Sequence, residues 1–367
     1  MTFDERVAAL APLGFTPRQT RFLVTAALHS CRFLEGRSQW DLLAGNGARK
    51  RDVPEISSRV PVGITLRSMI SAPFIRDIFA AARIANRRVF SFEFFPTKTD
   101  EGERALLEKT IPALGRLSPD FCSVTYGAGG STREKTLTIV DRIQREQRLP
   151  TMAHLTCVNA TADETREVLA QAARLGIRNI LALRGDPPGG GEFSGTDGGF
   201  EYSYQLVRFI REVGDYSIGV AGFPEGHVAC QEGKYVDWQR LKHKIDQGAD
   251  FVITQLFFDN RHYFELRDYL AGLGVFIPIL PGIIPILSTA QMKRFVALCG
   301  ADLPKPLLAE LDRRGDDDEA VTAFGIEYAT RQCEELLREG APGIHFYTLN
   351  KARSTTAILE NLRGVRV

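Results

Sequence analysis

The sequence predicts a (β/α)8 barrel of the TIM type behind a small helical extension, and three observations predict it. From Val89 onward, apolar segments of five to seven residues alternate with amphipathic stretches of helical period. Eight such units fill about 275 residues, the usual span of one barrel. The segments are short and apolar, which suits a parallel core covered by helices.

Residues 1–60 stand apart. Two short helical patterns, around 4–11 and 17–33, precede a polar segment at 35–59 that contains Gly45-Asn46-Gly47 and Arg49-Lys50-Arg51. Nine Lys and Arg against six Asp and Glu leave about three positive charges in excess. That favours a packing or oligomer-contact role over a nucleic-acid-binding helix-turn-helix. Residues 61–367 are read as the catalytic barrel, opening with an apolar–basic helical stretch at 64–87. Strands are expected at 89–95, 121–125, 151–156, 179–183, 217–221, 251–255, 276–280 and 343–347. Helices are expected near 101–117, 132–147, 162–175, 203–213, 235–247, 260–272, 288–299, 319–339 and 351–362. Gly176, Gly248 and Gly340 fall just after helices, where a left-handed cap favours glycine. A doubly wound sheet is the alternative, but Gly127-Ala128-Gly129-Gly130-Ser131-Thr132 departs from G-x-G-x-x-G at its last position.

Composition narrows the class. The chain has 367 residues, 44% hydrophobic and 25% charged, with a formal charge of +1. Nothing global calls for nucleic acid or an acidic surface. Six cysteines (31, 122, 157, 230, 299 and 333) form no C-x-x-C pair, so a zinc ribbon, redox dithiol or disulfide framework is unsupported. No basic-then-apolar leader opens the chain, and no apolar run is long enough to span a bilayer. The expectation is a soluble cytoplasmic protein.

Barrel active sites sit at the C-terminal ends of the strands. Those ends read Glu93, Thr125, His154, Arg184 with Asp186, Phe223, Gln255, Pro281 and Phe346. Glu93 lies in Ser91-Phe92-Glu93-Phe94-Phe95-Pro96, where burial of an unpaired carboxylate is costly and raises its pKa toward that of a neutral-pH proton donor. A purely structural Glu paired with an arginine is equally compatible with that segment. Asp186, in Leu183-Arg184-Gly185-Asp186-Pro187-Pro188, makes a possible carboxylate pair with Glu93, which a glycosidase would also use. Thr125–Thr132 is a glycine-rich loop opening a helix, where backbone N–H groups can hold a phosphate. Asp237, Arg240, His243 and Lys244 recur on one helix, either as a solvated face or as a ligand-binding one. No predicted strand ends in Lys, against a Schiff-base aldolase. His154, His227 and His243 lack a compact ligand spacing, so no metal is expected.

Seven ordered motifs carry a resemblance: Ser91–Pro96, Ser123–Ala128, His154–Cys157, Ala182–Asp186, Ile253–Gln255, Leu280–Ile283 and His345–Asn350. Over about 85–364 the chain resembles the methylenetetrahydrofolate reductases, in the short bacterial form without the C-terminal regulatory domain. The resemblance implies a barrel holding FAD without a dinucleotide fingerprint. NADH or NADPH reduces the flavin and leaves, and 5,10-methylenetetrahydrofolate then takes its place and becomes the 5-methyl form. Glu93 matches the general acid, and Asp186 the carboxylate near flavin and pterin. Gln255 matches the residue that hydrogen-bonds the folate, and Phe295 an aromatic packed on the second ligand. Thr125, His154, Arg184, Gly185, Tyr202, Phe223, Asp237, Arg240, His243 and Lys244 fall at flavin-binding positions. In the enteric bacterial form, Phe223, Arg240 and His243 are replaced by Tyr, Asn and Arg, which redistributes donors around the FAD phosphates. A homo-oligomer is expected. A degenerate barrel subunit, and a reductase fed by a partner electron-donor protein, remain as alternatives.

Overall fold

The computed structural model describes residues 72–126, 133–185, 193 and 195–364. The predicted extension at 1–60, the boundary after it and the Gly127–Thr132 loop lie outside those residues, as does Asp186.

Nine strands form one parallel sheet: β1 (Val89–Phe94), β2 (Phe121–Val124), β3 (Thr151–Thr156), β4 (Asn179–Leu183), β5 (Ser217–Gly222), β6 (Phe251–Thr254), β7 (Ile279–Leu280), β8 (Gly282–Ile283) and β9 (Gly343–Tyr347). Their order is β7-β6-β5-β4-β3-β2-β1-β9-β8. β7 pairs with β6 and β8 pairs with β9, with only Pro281 between them. Proline has no N–H for a ladder. Its carbonyl instead accepts the His345 N–H at 2.9 Å. The two short strands share one position, so the ring has eight positions and closes as a barrel. The seventh strand was expected from residue 276, yet it begins at Ile279, and Phe276 is 69% exposed.

Helices follow the strands much as the periodicity predicts. They are α1 (Ile75–Ile84), α2 (Asp100–Ala105), α3 (Ile111–Gly115), α4 (Arg133–Arg142), α5 (Ala162–Arg174), α6 (Ser203–Val213), α7 (Lys234–Asp246), α8 (Asn260–Gly272), α9 (Thr289–Cys299), α10 (Lys305–Arg314), α11 (Asp318–Arg338) and α12 (Ala352–Gly364). A wider helical turn, Leu106–Thr110, joins α2 to α3. α5 starts with a reciprocal cap between Thr161 and Glu164. The sequence pattern did not announce α10, because only Leu307 and Leu311 of that helix are buried apolar positions. Two residues at i and i+4 are too few to read as a period.

Strand alternation divides the core in two. Phe92, Phe94, Val124, Leu155, Val220 and Phe346 face the helices. Val89, Phe121, Met152, Leu181, Phe251 and Leu280 face inward and meet Ile75, Ile78, Phe79 and Ala82 of α1. α1 therefore plugs the base of the barrel. Phe79 lies 6.2 Å from Phe121 and 5.4 Å from Phe251, ring centre to ring centre. The first turn of α1 has no cap of its own. The strand feet supply it: Asn179 Oδ1 accepts the Ile75 N–H at 2.8 Å, and Ser217 Oγ accepts the Arg76 N–H at 3.0 Å. Those otherwise costly buried polar residues at the starts of β4 and β5 thus satisfy free helical N–H groups. With its base filled by apolar side chains, the barrel has room for chemistry only above them.

Candidate active site

Above the apolar plug the inward side chains turn polar. Glu93 on β1 stands opposite Ser123 of β2 and Tyr347 of β9 in the ladder. It is buried, and its Oε2 meets three groups. Ser123 Oγ donates at 3.4 Å, His345 Nε2 lies at 3.4 Å, and His154 Nε2 lies at 3.3 Å. The His154 contact is out of line for a hydrogen bond, and that nitrogen is buried with no other acceptor. His345 is fixed from behind by Ser91 Oγ, 2.8 Å from its Nδ1.

This surrounding corrects the expected electrostatics of Glu93. Burial does push its carboxyl up, but His154 and His345 more than reverse this and hold it at about 2. The aromatic neighbours in sequence misled the reading, because Phe92 and Phe94 point out to the helices while Glu93 points in. The partner is likewise a pair of imidazoles rather than an arginine.

Tyr347 closes the same layer. Its hydroxyl donates to the Thr254 carbonyl at 2.5 Å, and its own ionisation is pushed far up by burial and by the Glu93 charge. The ring lies over Gly282, where a Cβ would sit 2.6 Å from the ring and 2.3 Å from Thr254 O. Only a residue without a side chain fits there.

A second polar group gathers around β5 and α7. Lys244 is half-buried, and its ammonium donates to the Ala221 carbonyl at 2.7 Å. Burial lowers its pKa to about 8, against the pull of Asp237. Asp237 is itself pushed up, chiefly by burial. Among the described residues the hydrogen bond this half-buried cation makes is to a neutral carbonyl, which leaves charge for an anion to meet.

The methylenetetrahydrofolate reductase family model matches residues 78–363. The chain belongs to that family. It is 39% identical over 277 residues to the 5,10-methylenetetrahydrofolate reductase of Escherichia coli (strain K12), covering 75% of this chain and 90% of that protein. It is 42% identical over 284 residues to methylenetetrahydrofolate reductase (NADH) 1 of Arabidopsis thaliana, covering 74% of this chain but 48% of that protein. The chain therefore spans about half the length of its plant relatives. Among solved structures, a Clostridium thermocellum protein that binds two copies of 5-methyl-5,6,7,8-tetrahydrofolic acid shares the fold, with a TM-score of 0.53 and 16% identity. That match covers 77% of this chain and 98% of the other. Family membership sets the two-carboxylate glycosidase aside.

The family motifs fall where the barrel needs them. Glu93 and His154, assigned separately in sequence to acid and cofactor, meet at 3.3 Å. Thr125 follows β2, its N–H on the Phe94 carbonyl. The Arg184 guanidinium lies 5.0 Å above the Phe193 ring. Gly185 takes a left-handed φ of 82°, and a Cβ there would meet Thr156 and Val158 at 2.9 Å. Beside it, Thr156 Oγ1 is buried without a partner. Gln255 closes β6, its Oε1 accepting the Leu256 N–H at 2.8 Å. Phe295 lies on α9 in the apolar cluster that includes Tyr347 and Leu349.

The remaining flavin-assigned residues sit further out. Tyr202 is 48% exposed and stacks on Tyr204, which meets the His243 ring edge-on at 4.8 Å. Arg240 pairs with Glu232 at 2.5 Å and lies 3.3 Å from Cys230 Sγ. Phe223 packs edge-on against His227 at 4.5 Å. A cavity of about 320 Å³ lined by Asp259, Asn260, Tyr328, Arg331 and Glu335 lies outside the barrel and contains none of the site residues.

The sequence reading placed Phe346 at the mouth of the last strand. That is corrected: Phe346 is helix-facing, and its neighbours His345 and Tyr347 point inward. Strand alternation anchored on Gly343 would have found them. Ser91 was missed for want of any signal beyond its alternation with Glu93, and Ser123 because it meets Glu93 only across the β1–β2 ladder.

Proposed function

We propose that the chain is a flavin-dependent reductase, taking electrons from NADH or NADPH and reducing 5,10-methylenetetrahydrofolate to the 5-methyl form. The observation that carries this reading, within a family of that activity, is the buried Glu93 carboxylate held between two imidazoles above the apolar plug. FAD is the cofactor the residues fit: Lys244 offers a half-buried charge to its phosphates, and Thr156 a hydroxyl without a partner among the described residues. Thr125, Arg184, Gly185 and Asp237 line the same side, while Tyr202, Phe223, Arg240 and His243 supply the outer contacts. When bound, the flavin accepts a hydride from the nicotinamide and passes it to the folate.

The protein's own part is positional and protic. A carboxyl held at about 2 is not by itself the proton reservoir at neutral pH. Glu93 instead acts together with His345 and His154, whose Nε2 atoms lie 3.4 and 3.3 Å from its Oε2. That group delivers the proton to the folate nitrogen as the methylene bridge opens, with Ser91 fixing the His345 ring. A carboxylate left behind stabilises the cationic intermediate. Asp186 supplies a second negative charge to the same cation, Gln255 holds the pterin through its amide, and Phe295 packs on whichever second ligand is present. Among the described residues no helix is long and apolar enough to cross a membrane, and the proposed setting is the cytoplasm.

The test is an anaerobic absorbance titration of the purified protein. A flavin band that bleaches with NADH or NADPH and returns with methylenetetrahydrofolate supports the reading. In Glu93→Gln, bleaching is expected to persist while the folate step slows by about 10²–10⁴-fold. Equal loss of both steps refutes the role of Glu93, and a chain that takes up no FAD refutes the reductase. A bound flavin that neither nicotinamide bleaches points to a partner electron donor.

A further inference from the structure

We propose that Asn350, working with Thr348, is a positioning residue for Glu93, holding the end of β1 so that the carboxylate meets its two imidazoles. The inference rests on the reading of Glu93 as part of the proton-delivering group.

The β1–β9 ladder ends at Glu93 and Tyr347. Past that point the chain turns through Leu349 and Asn350, both left-handed at φ 52° and 57°. Asparagine tolerates that region, whereas leucine does so only under tertiary constraint. The turn brings the Asn350 amide back onto Phe95. Phe95 N donates to Asn350 Oδ1 at 2.9 Å, and Asn350 Nδ2 donates to the Phe95 carbonyl at 2.8 Å. One donor and one acceptor on the same residue fix which end of the amide is which. The side chain thus replaces a peptide and extends the ladder one step beyond the strand.

Thr348 completes the clamp. Its hydroxyl donates to the Glu93 carbonyl at 2.6 Å and accepts the Asn350 N–H at 3.2 Å. The backbone of Glu93 and that of Phe95 are therefore both anchored to the same turn, from about 255 residues away in sequence. Barrel closure does not require this, since five residues of β1 already pair with β9. The carboxylate does require it. Its hydrogen bonds with Ser123 and His345, both at 3.4 Å, are at the long end of the range, so a small displacement of β1 breaks them. The β1–β2 ladder holds the strand as far as Phe94, whose carbonyl accepts the Thr125 N–H at 2.9 Å; Pro96 has no N–H, so beyond Phe94 the described hydrogen bonds on Phe95 are those to the Asn350 amide.

Asn350→Ala and Thr348→Val, in the full FAD-loaded chain, separate positioning from mere stability. The expected result is nicotinamide-driven bleaching within about threefold of wild type, folate-driven reoxidation slowed about 10- to 100-fold, and a shifted pH profile for that step alone. Thr348→Ser keeps the hydroxyl and is expected to restore the folate step to within about threefold. Equal slowing of both steps, or loss of FAD, assigns the clamp a structural role only and overturns the proposal, as does an unchanged folate step. If Asn350→Ala does not fold, the Thr348→Val and Thr348→Ser pair decides. Glu93→Gln measured alongside separates the two levels. If it too leaves the folate step intact, the reading of Glu93 has failed; if it alone slows that step, only the clamp has failed.

Discussion

Replacing Glu93 by glutamine removes a charge whose contribution to stability follows from its surroundings. The folded carboxyl sits at about 2 against an ordinary 4.5. A group lowered by folding stabilises fully above its unfolded value, and that contribution is lost as the pH falls toward the folded value. The difference, at about 1.4 kcal/mol per pH unit, amounts to about 3 kcal/mol at pH 7. By the same linkage roughly half of it remains at pH 3. The glutamine does not titrate. The stability gap between wild type and Glu93→Gln is therefore expected to narrow by about 2 kcal/mol between pH 7 and pH 3. Any constant cost of the new side chain cancels in that difference. Urea unfolding followed by circular dichroism at the two pH values measures it. A gap that stays constant, or widens toward pH 3, would show that the imidazoles do not hold the carboxylate ionised.

Two further outcomes bear on the site. Because desolvation lowers the pKa of Lys244 to about 8, FAD affinity of the apoprotein is expected to weaken about tenfold per pH unit above that point. In Lys244→Gln, binding should be about 10- to 100-fold weaker and flat with pH over the same range, as fluorescence titration would show; a wild-type affinity indifferent to pH would contradict the placement of an anion there. Gly282→Ala forces a methyl group within 2.3 Å of Thr254 O and against Tyr347, and is expected to cost about 3 kcal/mol in a urea melt. A near-neutral substitution would mean that the Tyr347 layer is not packed as described.

The sequence by itself determined the barrel, most of its strands within a residue or two, and the family. The barrel and its strands depend on local signals, namely short apolar runs, helical period and the glycines that follow helices, while the family rests on the resemblance carried by seven ordered motifs. It also picked out Glu93, because a carboxylate within an aromatic run stands out in one dimension. What the sequence could not show was which residues share a layer. Phe92 and Phe94 are next to Glu93 in the chain but point to the other side of the sheet, whereas His345 is 252 positions away and 3.4 Å distant. The sign of the Glu93 shift, the role of Ser91 and the grip of Asn350 on Phe95 all follow from that closure. Electrostatics depends on distance through space, and β1 meets β9 only once the ring has closed.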